Sequence, residues 1–372
     1  MFAYSLFSGS SAHAQNISAS ARSYMLMEAQ TGRVLLEGNS DEKLPMASTT
    51  KIMTCLLACE KGNMKDVVTA GKNCVGIEGT SIYLKEGETI TLEELCYGLM
   101  LASGNDAAVA IAEHLAGSSE RFCEMMTERA KQLGANDTNF VTPNGLPAQG
   151  HYTTARDLAK IASAAMQNEL FRGFVSKKSI TLEADEDSPA RYLKSKNRIL
   201  LNYEGGNGVK TGYTKQAGKC LVAGAKRGEM QLIAVVLNDY AMWDDCERLL
   251  DYGFENYSLK KADEKKTLKG AVEISDGIIE KTDGYIEEDI YLPLKEDDSK
   301  IEIKYEIYKG ITAPLRKGTQ VGEAKYSLDG IIMKTVPIYL KEDVRKDTLS
   351  YRLSRLIREM IGLKERKNER CA

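Results

Sequence analysis

The 372-residue sequence is short of several things, and each shortage closes a route. It has three histidines, His13, His114 and His151, so a Cys/His zinc site or a Ser-His-Asp triad has little to draw on. Its eight cysteines form no C-x-x-C. Cys55 and Cys59 stand at i, i+4 inside an apolar helical pattern, while Cys74, Cys96, Cys123, Cys220, Cys246 and Cys371 are scattered singly. Buried thiols are therefore expected rather than a disulfide framework or a metal cage. No charge dominates either: 50 Lys+Arg against 53 Asp+Glu leaves −3, which speaks against a nucleic-acid partner. Nor is there a run of about 20 apolar residues, so the mature chain is not expected to cross a bilayer, and any membrane contact should be peripheral.

What is present suits a globular protein of about two domains, with 43% apolar and 28% charged residues. The apolar stretch Met1 to Phe7, followed by Ala12-His13-Ala14, resembles an A-x-A cleavage site, so 1–14 reads as an export leader, either a clipped signal peptide or only a polar segment. From 21 to 257, short β-branched runs alternate with helical patterns. Lys260, Lys261, Asp263, Glu264, Lys265 and Lys266 then suggest a charged linker over 258–266. Beyond it, period-two segments such as Ile301 to Ile307, punctuated by Gly310, Gly318, Gly322 and Gly330, predict a small β-sandwich over 267–344. The end, 347–372, places Leu349, Leu353, Leu356, Ile357, Met360, Ile361 and Leu363 at helical spacing among Arg352, Arg355 and Arg358. Nine Lys/Arg face four Asp/Glu from Arg345 to Ala372, so this amphipathic helix is expected to lie on an anionic membrane surface or to dock on its own β-domain.

The chemistry concentrates in three short segments. Pro45-Met46-Ala47-Ser48-Thr49-Thr50-Lys51 runs into Ile52, Met53, Leu56 and Leu57 in helical phase, which brings Lys51 one turn beyond Ser48 on the same face. A serine hydroxyl attacks only when a base takes its proton, and a lysine serves as that base only when desolvation or positive charge lowers its pKa. Alone, S-x-x-K also fits an N-cap serine with a surface lysine. Downstream, Ser103-Gly104-Asn105 interrupts two apolar helical stretches, and Lys210-Thr211-Gly212-Tyr213-Thr214 precedes a second strand, predicting an edge strand.

The ordered trio S-x-x-K, S-x-N and K-T-G, spaced 55 residues from Ser48 to Ser103 and 107 from Ser103 to Lys210, resembles the signature of penicillin-binding proteins and serine β-lactamases. It is most similar to the low-molecular-mass D-alanyl-D-alanine carboxypeptidases. Thr142-Pro143-Asn144-Gly145-Leu146, His151 to Ala159, Asn197 to Leu201 and Ala313-Pro314-Leu315-Arg316-Lys317-Gly318 add to the likeness. The resemblance implies an α/β (α+β) transpeptidase-like domain, an antiparallel sheet flanked by helices with a helical subdomain around Ser103, followed by the all-β domain. It implies an exported, cofactor-free serine peptidase, peripherally anchored at the outer face of the cytoplasmic membrane or in the cell wall. The substrate would be a peptidoglycan stem peptide ending in D-Ala-D-Ala, and β-lactam antibiotics would be covalent inhibitors.

Roles follow from the same resemblance. Ser48 is the nucleophile and Lys51 its proton acceptor, and the backbone amides of Ser48 and Tyr213 form the oxyanion site. Ser103 relays a proton to the departing amine, and Asn105 holds Lys51 and the substrate amide. Lys210, with Thr211, Gly212, Tyr213 and Thr214, binds substrate and its terminal carboxylate. One departure stands out: relatives often add an arginine just after the strand that follows K-T-G, and Asp239-Tyr240-Ala241-Met242-Trp243-Asp244-Asp245 has none. His151 reads as a structural hydrogen-bonding residue in preference to a base. A class A β-lactamase would need an E-x-x-L-N segment, which is missing; a silent wall-binding scaffold would not need Ser48, Lys51, Ser103, Asn105 and Lys210 all intact.

Overall fold

The computed structural model describes residues 19–184 and 189–360. They divide between Glu255 and Asn256 into two units with separate cores. The expected leader, 1–14, and the last residues of the tail, 361–372, lie outside the described residues.

In the first unit the strands are β1 (Ser23–Glu28), β2 (Val34–Gly38), β3 (Val67–Thr69), β4 (Thr89–Thr91), β5 (Ser179–Leu182), β6 (Arg191–Lys194), β7 (Gly206–Thr214), β8 (Gly218–Arg227) and β9 (Met230–Leu237). The helices are α1 (Lys51–Lys61), α2 (Leu92–Leu101), α3 (Asn105–Ala116), α4 (Ser119–Gln132), α5 (Ala155–Gln167), α6 (Glu169–Val175), α7 (Arg198–Asn202) and α8 (Met242–Asn256). Five strands form an antiparallel sheet in the order β2-β1-β9-β8-β7. Every residue of β9 is buried, as its central place between two neighbours and two covered faces requires. The K-T-G strand β7 lies at the sheet's edge, so one side of its backbone is open to a ligand.

Helix α1 is buried over all of Lys51–Ala58. A helix that is apolar around its whole circumference belongs in a core, and α1 packs among α2, α3 and α5. Cys55, Cys74, Cys96, Cys123, Cys220 and Cys246 are buried free thiols, as the sequence predicts. Burial pushes the Cys55 thiol well up, and contact with Cys59 and Cys96 adds to that. Such a thiol is a small apolar side chain and a poor nucleophile.

The second unit carries β10 (Ser258–Asp263), β11 (Lys266–Glu273), β12 (Lys281–Ile286), β13 (Ile290–Leu294), β14 (Glu302–Ile307), β15 (Gln320–Leu328), β16 (Ile331–Leu340) and α9 (Leu349–Met360). The sheet β11-β12-β16-β15-β14 and the pair β10-β13 enclose one core of residues such as Val272, Ile290, Leu292, Tyr326 and Ile338. This is the β-sandwich expected from the period-two segments. Residues 258–266, expected to be a linker, are instead mostly strand: β10 pairs along β13 from Ser258↔Leu294 to Asp263↔Ile290. Lys260 and Lys261 are exposed, and Lys261 reaches Asp289 at 2.9 Å. A short strand with solvent beside its charged residues has the composition of a linker.

Candidate active site

Ser48 lies in a single 3-10 turn, Ala47–Thr50, that runs directly into α1. At three residues per turn, positions i and i+3 eclipse one another, so Lys51 stands over Ser48 more closely than an α-helical turn would allow. The Thr49 hydroxyl donates to the Met46 carbonyl at 2.6 Å and the Thr50 hydroxyl to the Ala47 carbonyl at 2.8 Å, which tightens the turn. His151 supports it from behind. Its Nδ1 lies 3.0 Å from the Val141 amide and so accepts, which leaves Nε2–H to donate to the Thr50 hydroxyl at 2.8 Å. Burial lowers the His151 pKa to about 4, so the ring stays neutral, and both of its nitrogens are committed to holding the turn.

Lys51 is fully buried. Its Nζ stands 2.8 Å from Ser48 Oγ, 2.7 Å from Asn105 Oδ1 and 2.7 Å from the Asn144 carbonyl oxygen. Burial drives its pKa well down, the nearby Lys210 lowers it further, and Asp106 opposes the shift. Two of the three partners are carbonyl oxygens, which accept only. A neutral amine satisfies both with its two N–H groups and turns its lone pair to the third, the Ser48 hydroxyl, the one partner with a proton to give.

Asn105 is held from two sides. Its backbone amide donates to the Thr80 carbonyl at 2.7 Å, and its Nδ2 to the Glu78 carbonyl at 2.6 Å, which fixes Oδ1 toward Lys51. The 78–84 segment that supplies these carbonyls is itself pinned by Asp106, whose carboxylate accepts from the Ile82 and Leu84 amides at 3.0 and 3.1 Å. Ser103 occupies the break between α2 and α3 with φ of +61°, and its carbonyl accepts from the Thr80 hydroxyl at 2.6 Å. A left-handed residue there turns the chain sharply, so that α2 ends and the Ser103 and Asn105 side chains both reach the cleft.

On the opposite wall, Lys210 is buried and donates to the Thr211 carbonyl at 3.0 Å. Burial lowers its pKa to about 7. Gly212 is the point of closest approach: a Cβ there would come within 3.0 Å of the Ser48 amide nitrogen and 3.1 Å of the Met46 carbonyl oxygen. Glycine lets the strand run this near the serine turn without crowding it. Tyr213 is exposed, and the Thr214 hydroxyl accepts from the Ala217 amide at 3.0 Å.

A cavity of about 600 Å³ lies between these walls and is lined by Ser48, Ser103, Asn105, Lys210, Thr211, Gly212, Tyr213 and Thr214. Of the residues picked out from sequence for the site, only the wholly buried Lys51 is not on its surface. Sequence reasoning missed Asn144, whose contribution is a backbone carbonyl, and Thr80, Lys219, Met242 and Trp243, which also line the cavity. Asn144 lies in the Thr142–Leu146 run already noted; the others belong to no short motif. Among the described residues no Asp or Glu lines the cavity, while Lys196, Lys210 and Lys219 do, which suits an anionic ligand. Among the described residues no cluster of His, Cys, Asp or Glu could hold a metal ion.

Residues 9–241 match the D-alanyl-D-alanine carboxypeptidase family, and residues 254–346 match the penicillin-binding protein 5 C-terminal domain. The D-alanyl-D-alanine carboxypeptidase DacF of Bacillus subtilis is 35% identical over 336 residues, covering 88% of this chain and 86% of its own. Penicillin-binding protein 5 from Haemophilus influenzae superposes with a TM-score of 0.71 at 28% identity, covering 88% of this chain and 98% of that one. The Streptomyces K15 DD-transpeptidase, in a point-mutant form, gives a TM-score of 0.61 at 32% identity, over 64% of this chain and 99% of its own.

Proposed function

The chain belongs to the D-alanyl-D-alanine carboxypeptidase family, and from that premise we propose how its own residues divide the reaction. It is a penicillin-binding serine peptidase of cell-wall metabolism that acts on D-Ala-D-Ala termini of peptidoglycan. Ser48 Oγ attacks the carbonyl between the two D-alanines as Lys51 takes its proton. The Ser48 and Tyr213 amides receive the oxyanion, a role supported by the close approach of Gly212 to the serine turn. Ser103 passes the proton to the departing amine, and the C–N bond breaks to leave the Ser48 ester. Water then hydrolyses that ester. Asn105 steadies Lys51 and the substrate amide, while Lys210, Thr211 and Thr214 receive the terminal carboxylate.

The observation that carries this reading is the setting of Lys51, a buried amine held by two carbonyl oxygens with its Nζ 2.8 Å from Ser48 Oγ, the one partner with a proton to give. A fluorescent penicillin should label the chain at Ser48, and a D-Ala-D-Ala pentapeptide should release D-alanine; Ser48→Ala should lose both. Labelling that persists in Ser48→Ala would remove the serine from its role.

We further propose that the protein works outside the cytoplasm, held at an anionic membrane surface by its tail. No described helix is long and apolar enough to cross a membrane. In α9, Leu349, Leu353, Leu356, Ile357 and Met360 are each more than half exposed, and Arg352, Arg355 and Arg358 are exposed with them. That arrangement suits a helix lying in a lipid interface. Deleting 347–372 should release the protein from vesicles containing anionic lipid, and unchanged binding would exclude the tail as the anchor.

A further inference from the structure

The segment after β9 lacks the arginine that the resemblance led one to look for, and Met242 and Trp243 line the cavity there instead. A carboxylate that leaves water for such a cleft needs cationic donors to replace its hydration. Lys210 meets part of that need, but with a pKa of about 7 it carries only part of a charge in the free protein at neutral pH.

We infer that Lys219, at the start of β8, is the second cation that receives the terminal carboxylate, resting on the carboxypeptidase reading of the same site. Three observations support it. Lys219 lies directly opposite Tyr213 in the β7–β8 ladder, with Leu221 opposite Thr211. Opposed residues of an antiparallel pair share a face, so Lys219 is on the Thr211 and Tyr213 face and diagonal to Thr211, at roughly 7–8 Å between backbones, within reach of a long side chain. Second, Lys219 lines the same cavity as Ser48, Thr211, Thr214, Met242 and Trp243. Third, the segment after β9 holds the lysine at both ends. The Asp239 amide donates to the Lys219 carbonyl at 2.9 Å, and Nζ donates to the Tyr240 carbonyl at a loose 3.4 Å. One long hydrogen bond orients the ammonium yet leaves N–H groups for a ligand.

Lys219 is exposed, so its replacement should not disturb folding. Lys219→Gln and Lys219→Arg would be compared with the wild type on an acyl-D-Ala-D-Ala peptide and on the same peptide with its terminal carboxylate converted to the carboxamide. Lys219→Gln should raise KM for the free acid about tenfold, with kcat nearly unchanged, as loss of one charge-assisted hydrogen bond implies. Lys219→Arg should restore most of that loss, and turnover of the carboxamide should be the same in all three proteins. An unchanged KM in Lys219→Gln would overturn the proposal. So would an equal loss on the free acid and the carboxamide, which would show that Lys219 only shapes the site. Wild-type release of D-alanine from the free acid tests the carboxypeptidase reading separately, so the two cannot fail unnoticed together.

Discussion

On the proposed mechanism two buried lysines, Lys51 and Lys210, hold opposite protonation states within one cleft, and their surroundings favour one order. Burial lowers both, but Lys51 is lowered further by the charge of Lys210 itself. The pair therefore favours loss of the proton from Lys51 before Lys210, the order that the proposed base and carboxylate receptor need. Lys51→Arg keeps the donors to Asn105 and Asn144 but cannot present a lone pair at neutral pH. Acylation by a fluorescent penicillin should fall by about 10²–10⁴-fold, the usual contribution of a general base, and a loss smaller than about tenfold would assign the proton to another group. The pH dependence follows with its sign. Below the Lys51 pKa the base is charged and acylation fails. Above about 7 the free protein loses the Lys210 proton, so KM for a carboxylate substrate should rise with pH on that side. Lys210→Arg cannot lose its proton there, so its KM should stay flat through a pH of about 9; a rise matching the wild type would show that another group sets the alkaline limb.

At the scale of elements, the site depends on turns that bring backbone atoms to Lys51. Gly145 has φ of +87°, and a Cβ on it would lie 2.0 Å from the Ala47 carbonyl oxygen, in the turn that holds Ser48. Its neighbour Asn144 supplies one of the two carbonyls that accept from Lys51. Gly145→Ala should therefore lower thermal stability by about 1–3 kcal/mol through the strained conformation and the clash, and should slow penicillin acylation as well. Stability and acylation both at wild-type values would mean that this turn does not position Lys51. Such turns mark the limit of what the sequence showed. Ser48, Lys51, Ser103, Asn105 and Lys210 are legible because each brings a side chain whose spacing or neighbours are distinctive. The Asn144 carbonyl is not, since every residue has one and only the folded turn aims it. Lys219 escaped for a related reason: its place in the cavity comes from strand register, which no local motif encodes. Strand β10 was misread because Lys260 and Lys261 face solvent, leaving charge without the alternation that marks a strand.

At the scale of the molecule, the chain comprises two units whose cores share no residue, one around α1 and the central sheet, the other between the two β-sheets. Every residue assigned a part in the reaction belongs to the first. The Streptomyces K15 DD-transpeptidase is matched over 99% of its length by 64% of this chain, so a fold of the first unit's extent exists without a partner of the second kind. Helix α8 closes that unit, and its core-facing Cys246, Leu249 and Leu250 all precede Glu255. A fragment of 19–255 thus retains the whole first core, while a cut before α8 would expose it. The fragment should fold and react with a fluorescent penicillin at a rate within about twofold of the full chain, because it keeps its own core and every residue given a part in the reaction. Its melting transition should coincide with one of two resolved in the full chain. Acylation that drops more than about tenfold on removal of 256–372, in a fragment that still melts cooperatively, would show that the β-sandwich acts on the reaction centre itself.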